Sequence, residues 1–464
     1  MGQSKVIENI EITGISAEGK SIARNDKQVI FVTEAVPGDI VDIQIIRKKR
    51  KFLEGKAINY HKKSPNRQEP FCSHFGTCGG CKWQNLQYEA QLKYKETHVL
   101  DNLKKIGKVD LPKPNPILGS ATATYYRNKL EFTFSDMRWL TTEEISSGKD
   151  FERNALGFHI PGRFDKILDI DKCWLQPDPS NEIRTAVKDY ALKNGLTFFN
   201  LRDQHGLLRN LIIRTTTTNE VMVIVQFFEP DELAIKGLME HIKTTFPFVT
   251  SLVYIINQKK NETYNDQEVL TYYGQNFITE QMGTLQFRIG PKSFYQTNPV
   301  QAEKLYQVAL DFAALSGDEL VYDLYCGTGT ISNYVANRAK KVVGIEYVEE
   351  AIIDARINSE LNKVDNTVFY AGDIKDLLTQ SFIQKEGKPD VIITDPPRAG
   401  MHPDVVAQLN EIKAEKIVYV SCNPATQARD LNLLSENYEV AAVQPVDMFP
   451  QTHHVENVLK LVRK

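Results

Sequence analysis

Leu320-Val321-Tyr322-Asp323-Leu324-Tyr325-Cys326-Gly327-Thr328-Gly329-Thr330 is the stretch on which the fold turns. It is a short apolar run without alternation that ends in small residues and passes into a helical pattern. A strand buried on both faces, turning into a helix, has that composition. Runs of the same kind follow at Lys341 to Glu346, Thr367 to Tyr370, Val391 to Thr394 and Lys416 to Ser421, each separated from the next by a helical pattern. Repeated strand and helix in this order predicts a parallel sheet with helices on both faces, a doubly wound, Rossmann-like α/β domain spanning about 286–464.

The chain upstream has a different texture. Residues 1–60 hold short strands between Gly and Pro turns (Val6 to Ile15, Val29 to Val32, Ile40 to Ile46, Gly55 to Tyr60), the pattern of a small closed β-barrel. The polar stretch His61 to Pro70 reads as a linker, and 61–285 as a β-rich central domain. Within that domain a helical, basic stretch at about 86–110 is suited to pack on the catalytic domain. With 464 residues and three domains, a monomer is expected.

Hydrophobic residues make up 42% and charged residues 25% of the chain, the balance of a globular protein rather than a disordered one. No apolar run reaches the 18 residues a membrane span needs, and the N-terminus has no signal-peptide core, so a cytoplasmic protein with no membrane partner is expected. Net charge is only −3, yet Arg47 to Lys105 holds 14 Lys/Arg against 5 Asp/Glu, leaving −12 for the remainder. That asymmetry points to one surface facing an anionic partner. Its densest part is Arg47-Lys48-Lys49-Arg50-Lys51, a solvated loop or a phosphate-tracking rim on the barrel.

The strand ends carry the chemistry. Gly327 and Gly329 let backbone amides approach a ligand at the topological switch point. Ser332 stands where a dinucleotide fingerprint would have its third glycine, and no GxxxxGK[ST] occurs, so NAD and triphosphates are disfavoured. Glu346 ends the second strand, placed to accept ribose hydroxyls; Asp373 ends the third, beside an adenine; Asp395 ends the fourth and is fixed by Pro396-Pro397. An acidic series of this kind suits S-adenosylmethionine, whose sulfonium is cationic. The fifth strand delivers Cys422 just before a helix, whose N-terminus is expected to lower the thiol pKa. Glu456 opens the last strand after a conspicuously polar segment. A methyl-donor pocket, a thiol and a carboxylate together fit methylation at carbon 5 of a pyrimidine. Cys422 adds at carbon 6, carbon 5 takes the methyl group, and Glu456 removes the carbon 5 proton. The base must leave its stack to be reached.

Cys72, Cys78 and Cys81, with Cys173 far downstream, make a four-thiolate set for which spacing leaves zinc and an iron–sulfur cluster both open. Cys326 reads as core packing.

These segments resemble the RNA uracil-C5 methyltransferases that make 5-methyluridine in 23S rRNA and tRNA. Asp395-Pro396-Pro397-Arg398-Ala399-Gly400, with Ser421-Cys422-Asn423-Pro424 downstream, is similar to the family's nucleophile signature, and Val446 to Glu456 to its general-base signature. The resemblance implies that Gln296, within Phe294-Tyr295-Gln296-Thr297-Asn298, contacts the methyl donor together with Tyr325, Glu346, Asp373 and Asp395. It implies a [4Fe–4S] cluster on Cys72, Cys78, Cys81 and Cys173, a TRAM barrel at 1–60, and an RNA contact at Arg127. Because the tRNA branch generally lacks barrel and cluster, 23S rRNA is the expected substrate and tRNA the alternative. A DNA cytosine-C5 methyltransferase is a poorer match, since Ser421 rather than proline precedes the thiol. A non-catalytic RNA-binding ribosome-assembly factor leaves Cys422 and Glu456 without a role.

Overall fold

The computed structural model describes residues 5–25 and 28–464. Five strands, Val6–Ile15, Ser21–Asn25, Gln28–Thr33, Ile40–Lys48 and Phe52–Lys62, close into a barrel. Closure comes from parallel pairing of Gln28–Thr33 with Phe52–Lys62. Alternate residues such as Ile12, Ala23, Ile30, Val32, Val41 and Ile43 fill its interior. Gly55 is required there, because a Cβ would lie 2.4 Å from Ile43 Cγ2. The strand Ser21–Asn25 carries too little apolar character to be read from sequence, and the last strand runs into the stretch expected to be linker.

The central sheet has seven strands, in the spatial order Leu270–Gly274, Ser251–Ile256, Val221–Phe227, Leu208–Thr215, Lys129–Ser135, Ala155–Ile160, Arg163–Asp169. Leu211, Ile213, Val223 and Val225 face the helices Ser180–Lys193 and Glu232–Thr245. The β-rich reading of this region missed both helices. Ile212, Met222 and Ile224 point the opposite way, as period-two alternation requires. They share a core with Leu305, Val321 and Val418 of the C-terminal domain.

The C-terminal sheet runs Thr367–Ala371, Lys341–Glu346, Leu320–Leu324, Val391–Thr394, Lys416–Ser421, Glu456–Arg463, Tyr438–Val446. The first five strands are parallel and the last two antiparallel. The helix Tyr88–Asn102 lies across this domain rather than the central one: Val99 and Leu103 are buried with Ala428 and Leu431. Asn115 and Leu118 donate backbone hydrogen bonds to Val443 and Pro445 at the sheet edge. No helix among the described residues is long and apolar enough to cross a membrane.

Candidate active site

Ser421 and Asn457 are paired residues of adjacent antiparallel strands. Cys422 follows the first and Glu456 precedes the second, so the thiol and the carboxylate emerge side by side at one sheet edge. Gln427, fully buried in the helix Pro424–Leu434, donates to the carbonyls of Tyr419 and Asn457 and accepts from Asn457 Nδ2 at 2.7 Å, tying the two strands together beneath them. That helix starts cleanly. Asn423 caps it, its Oδ1 accepting from Ala425 N, and Pro424 occupies the first turn, where no amide donor is needed. Asn423 Nδ2 and Thr426 Oγ1 both donate to the Arg398 carbonyl, fastening the Asp395–Arg398 loop against the Cys422 turn.

Three carboxyl groups converge here. Asp323 is fully buried, with Oδ2 accepting from Ser332 at 2.5 Å and Oδ1 lacking a protein partner. Burial pushes its pKa up to about 7. Asp395 also rises to about 7, through lost hydration and then the charge of Asp323. Glu456, 4% exposed, is held well above the usual carboxylate range by burial and by Asp395, with Arg398 opposing. The Cys422 thiol is pushed up to about 12, first by burial and then by Glu456 and Asp395. The expectation that the helix N-terminus lowers this pKa is therefore overturned: desolvation and two neighbouring carboxylates outweigh a partial dipole charge. A cation placed among these carboxyl groups would favour their ionised forms, so the pocket suits a cationic ligand.

The strand-end residues surround the glycine turn. Glu346 accepts from Gly327 N at 3.2 Å and Val348 N at 3.0 Å. Asp373 caps the short helix behind it and pairs with Lys375. Tyr325 sits at φ 64°, a left-handed conformation uncommon for a non-glycine residue and one that concentrates at functional sites. Gln296 is buried, its side chain within hydrogen-bonding reach of the fully enclosed Tyr306 hydroxyl, and its carbonyl accepts from Asn128 Nδ2. Cys326 packs with Ile352, Ala355 and Phe369, as expected. Sequence reading missed Asp323, Tyr306 and Gln427 as contributors. Their spacing carries no signal, because only the tertiary fold brings them together.

Cys72, Cys78, Cys81 and Cys173 line one cavity of about 340 Å³. Burial raises Cys78 to about 11 and Cys81 to about 12, and the charges of Cys173 and Cys72 push both further the same way. His74 Nε2 accepts from Asp171 N at 2.9 Å, holding the two cysteine segments together. A Cβ on Gly79 would lie 2.8 Å from the His159 carbonyl, which explains the glycine there. Among the described residues no three Cys, His, Asp or Glu side chains gather closely enough for a single ion. Arg127 lines the same cavity and lies 5.5 Å from the Phe449 ring, which belongs to the segment leading to Glu456. Arg47 to Lys51 occupy an exposed hairpin of the barrel and are not gathered with these residues. The basic stretch is not all surface: Lys95 is fully buried, and Arg67 is paired with the buried Asp39 at 2.8 Å.

A Rossmann-like sheet with acidic residues at successive strand ends around a glycine turn is the architecture of an S-adenosylmethionine-dependent methyltransferase. Residues 265–464 match the tRNA (Uracil-5-)-methyltransferase family, and residues 7–58 match the TRAM domain. An uncharacterized RNA methyltransferase of Bacteroides thetaiotaomicron is 58% identical over 96% of this chain and 99% of its own. Another, of Porphyromonas gingivalis, is 54% identical over 98% and 99%. The structure is similar to that of Pyrococcus abyssi tRNA (uracil-54, C5)-methyltransferase in complex with S-adenosyl-L-homocysteine. The TM-score is 0.74, with 29% identity over 97% of this chain and 99% of that one. The chain belongs to the RNA uracil-C5 methyltransferase family, with a TRAM domain at its N-terminus.

Proposed function

We propose that this enzyme forms 5-methyluridine in 23S rRNA through a covalent adduct between Cys422 and carbon 6 of the target uracil. The pairing of Ser421 with Asn457 carries the chemistry of this reading, because it sets a thiol and a carboxyl group side by side; the choice of 23S rRNA rests on the resemblance of the cysteine set to that of the family's rRNA members. The thiolate of Cys422 adds at carbon 6, and the resulting enolate takes the methyl group at carbon 5. Glu456 then removes the carbon 5 proton, and the electron pair left behind expels the thiolate. Gln296, Tyr325, Glu346, Asp373 and Asp395 hold the methyl donor, their acidic members facing a cation. Arg127 and the hairpin Arg47 to Lys51 contact RNA phosphates. The working unit is a monomer of three domains, 1–60, 61–285 and 286–464, in the cytoplasm.

Cys72, Cys78, Cys81 and Cys173 are assigned to a [4Fe–4S] cluster. Four thiols around one cavity fit it, whereas thiolates about 2.3 Å from one zinc ion would lie within about 4 Å of each other. When bound, the cluster supplies covalent cross-links between Cys72–Cys81 and the distal Cys173. Cys72→Ser is expected to lose iron and to lower the melting temperature. Iron content and visible absorption check this; a variant with full iron and wild-type stability would remove Cys72 from the ligand set.

A tRNA substrate is the second reading, favoured by the Pyrococcus abyssi enzyme. That chain is matched over 97% of this one, so the match extends into the barrel, and the barrel does not separate rRNA from tRNA enzymes. Labelled S-adenosylmethionine is to be offered with unmodified 23S rRNA and unmodified tRNA, and the digested nucleosides identified. 5-Methyluridine from rRNA alone is the expected result. 5-Methyluridine from tRNA alone would reassign the substrate, and label in neither would remove the reading.

A further inference from the structure

The segment between the last two strands, Asp447 to Val455, is held from outside the sheet. Lys95, on the helix Tyr88–Asn102, donates to Asp447 Oδ1 at 2.6 Å and to the Phe449 carbonyl at 3.0 Å, and both members of this ion pair are fully buried. Tyr88 donates to the second carboxylate oxygen at 2.9 Å. One turn away from Lys95, Gln91 exchanges two hydrogen bonds with Gln451, side chain to side chain at 3.0 Å and backbone amide to side chain at 2.9 Å. Gln451 lies at φ 66°, a backbone conformation these contacts help to maintain.

The register shows what the clamp acts on. Glu456 is the cross-strand partner of Val446, and Asp447 is the next residue. Lys95 therefore holds the chain one residue from the position opposite Glu456. A buried ion pair is a poor source of net stability, because desolvation offsets most of the attraction; its best-attested use is to fix one register. The Cys422 turn is fastened by hydrogen bonds of Asn423 and Thr426 to the Arg398 loop; the clamping helix meets the helix Pro424–Leu434 that follows it through apolar packing of Val99 near Ala428 and Leu431, without a Lys95 or Asp447 bond to the turn.

We propose that Lys95 and Asp447 are a positioning pair for the general base, holding Glu456 where it can remove the carbon 5 proton. This rests on the assignment of Cys422 and Glu456 made above. Displacing a reacting group by about 1 Å can cost a hundredfold in rate. The two steps of the reaction therefore respond differently when the pair is broken: adduct formation depends on Cys422, resolution on Glu456.

The test uses the full-length enzyme with its RNA substrate, following the denaturation-resistant protein–RNA adduct and released product by rapid quench. Lys95→Met is expected to form adduct at the wild-type rate and to resolve it about tenfold to a hundredfold more slowly, so that adduct accumulates with Glu456 intact. Lys95→Met combined with Asp447→Asn removes both buried charges. This double variant is expected to regain thermal stability without regaining fast resolution. Wild-type resolution in Lys95→Met, or recovery of resolution together with stability in the double variant, would overturn the proposal and leave the pair a purely structural one. Product formed by the wild type without passing through any adduct would instead overturn the nucleophile assignment, and the proposal with it.

Discussion

Cys422→Ala is expected to leave a folded protein that still binds S-adenosylmethionine but forms neither product nor RNA adduct. The loss should be at least about four orders of magnitude, since no other group can convert carbon 5 into a nucleophile. The side chain is half-buried in a turn whose bonds come from Ser421, Asn423 and Thr426, so removing one sulfur leaves the local scaffold intact. The wild-type enzyme adds a pH signature. With the thiol pushed up to about 12, its folded-state pKa lies far above neutrality. The reactive thiolate is a minor species whose fraction rises about tenfold per pH unit. Alkylation of Cys422, read by mass spectrometry of its peptide, should therefore accelerate steadily from pH 7 to pH 9. A plateau below pH 8 would contradict the direction of this shift, and residual turnover in Cys422→Ala would end its assignment as nucleophile.

Glu456→Gln should give the opposite phenotype, abundant adduct with little product. The amide matches the carboxylate in size, and the position is 4% exposed, so the substitution preserves packing while removing the proton acceptor. Resolution is expected to slow by about 10² to 10⁴, the usual contribution of a general base. Adding the thiol at carbon 6 does not use the Glu456 side chain, so adduct formation should not slow in this variant. Denaturing gels of enzyme mixed with RNA and methyl donor report both effects. A variant that releases product at the wild-type rate would place the base elsewhere.

The parallel strands were legible because burial on both faces leaves an unbroken apolar run, and Val391–Thr394 and Lys416–Ser421 lie where those runs predict. Cys422, Glu456 and Asp395 were legible because each stands directly at a strand end, where sequence position fixes spatial position. The helices Ser180–Lys193 and Glu232–Thr245 were not, since short amphipathic segments amid strands give an ambiguous period. Nor was the direction of the Cys422 shift, which depends on desolvation and on carboxylates brought in from two other strands. Lys95 falls in the basic stretch Arg47 to Lys105 whose charge points to a surface; it is buried because Asp447, 352 residues away, meets it. No local pattern encodes a partner at that distance.

A barrel turn reaches toward the segment that leads to Glu456. Trp83 donates its indole N–H to the Gly19 carbonyl, and Lys82 reaches the Glu18 carbonyl. On the facing side, the backbone amides of Lys82 and Trp83 both bond Gln451, and Gly19 itself lies against His453, joining the barrel to the approach to Glu456. A barrel fastened so close to the chemistry is no fishing arm on a tether. Its surface stands at one set separation from Cys422, as the fixed jaw of a caliper stands from its partner.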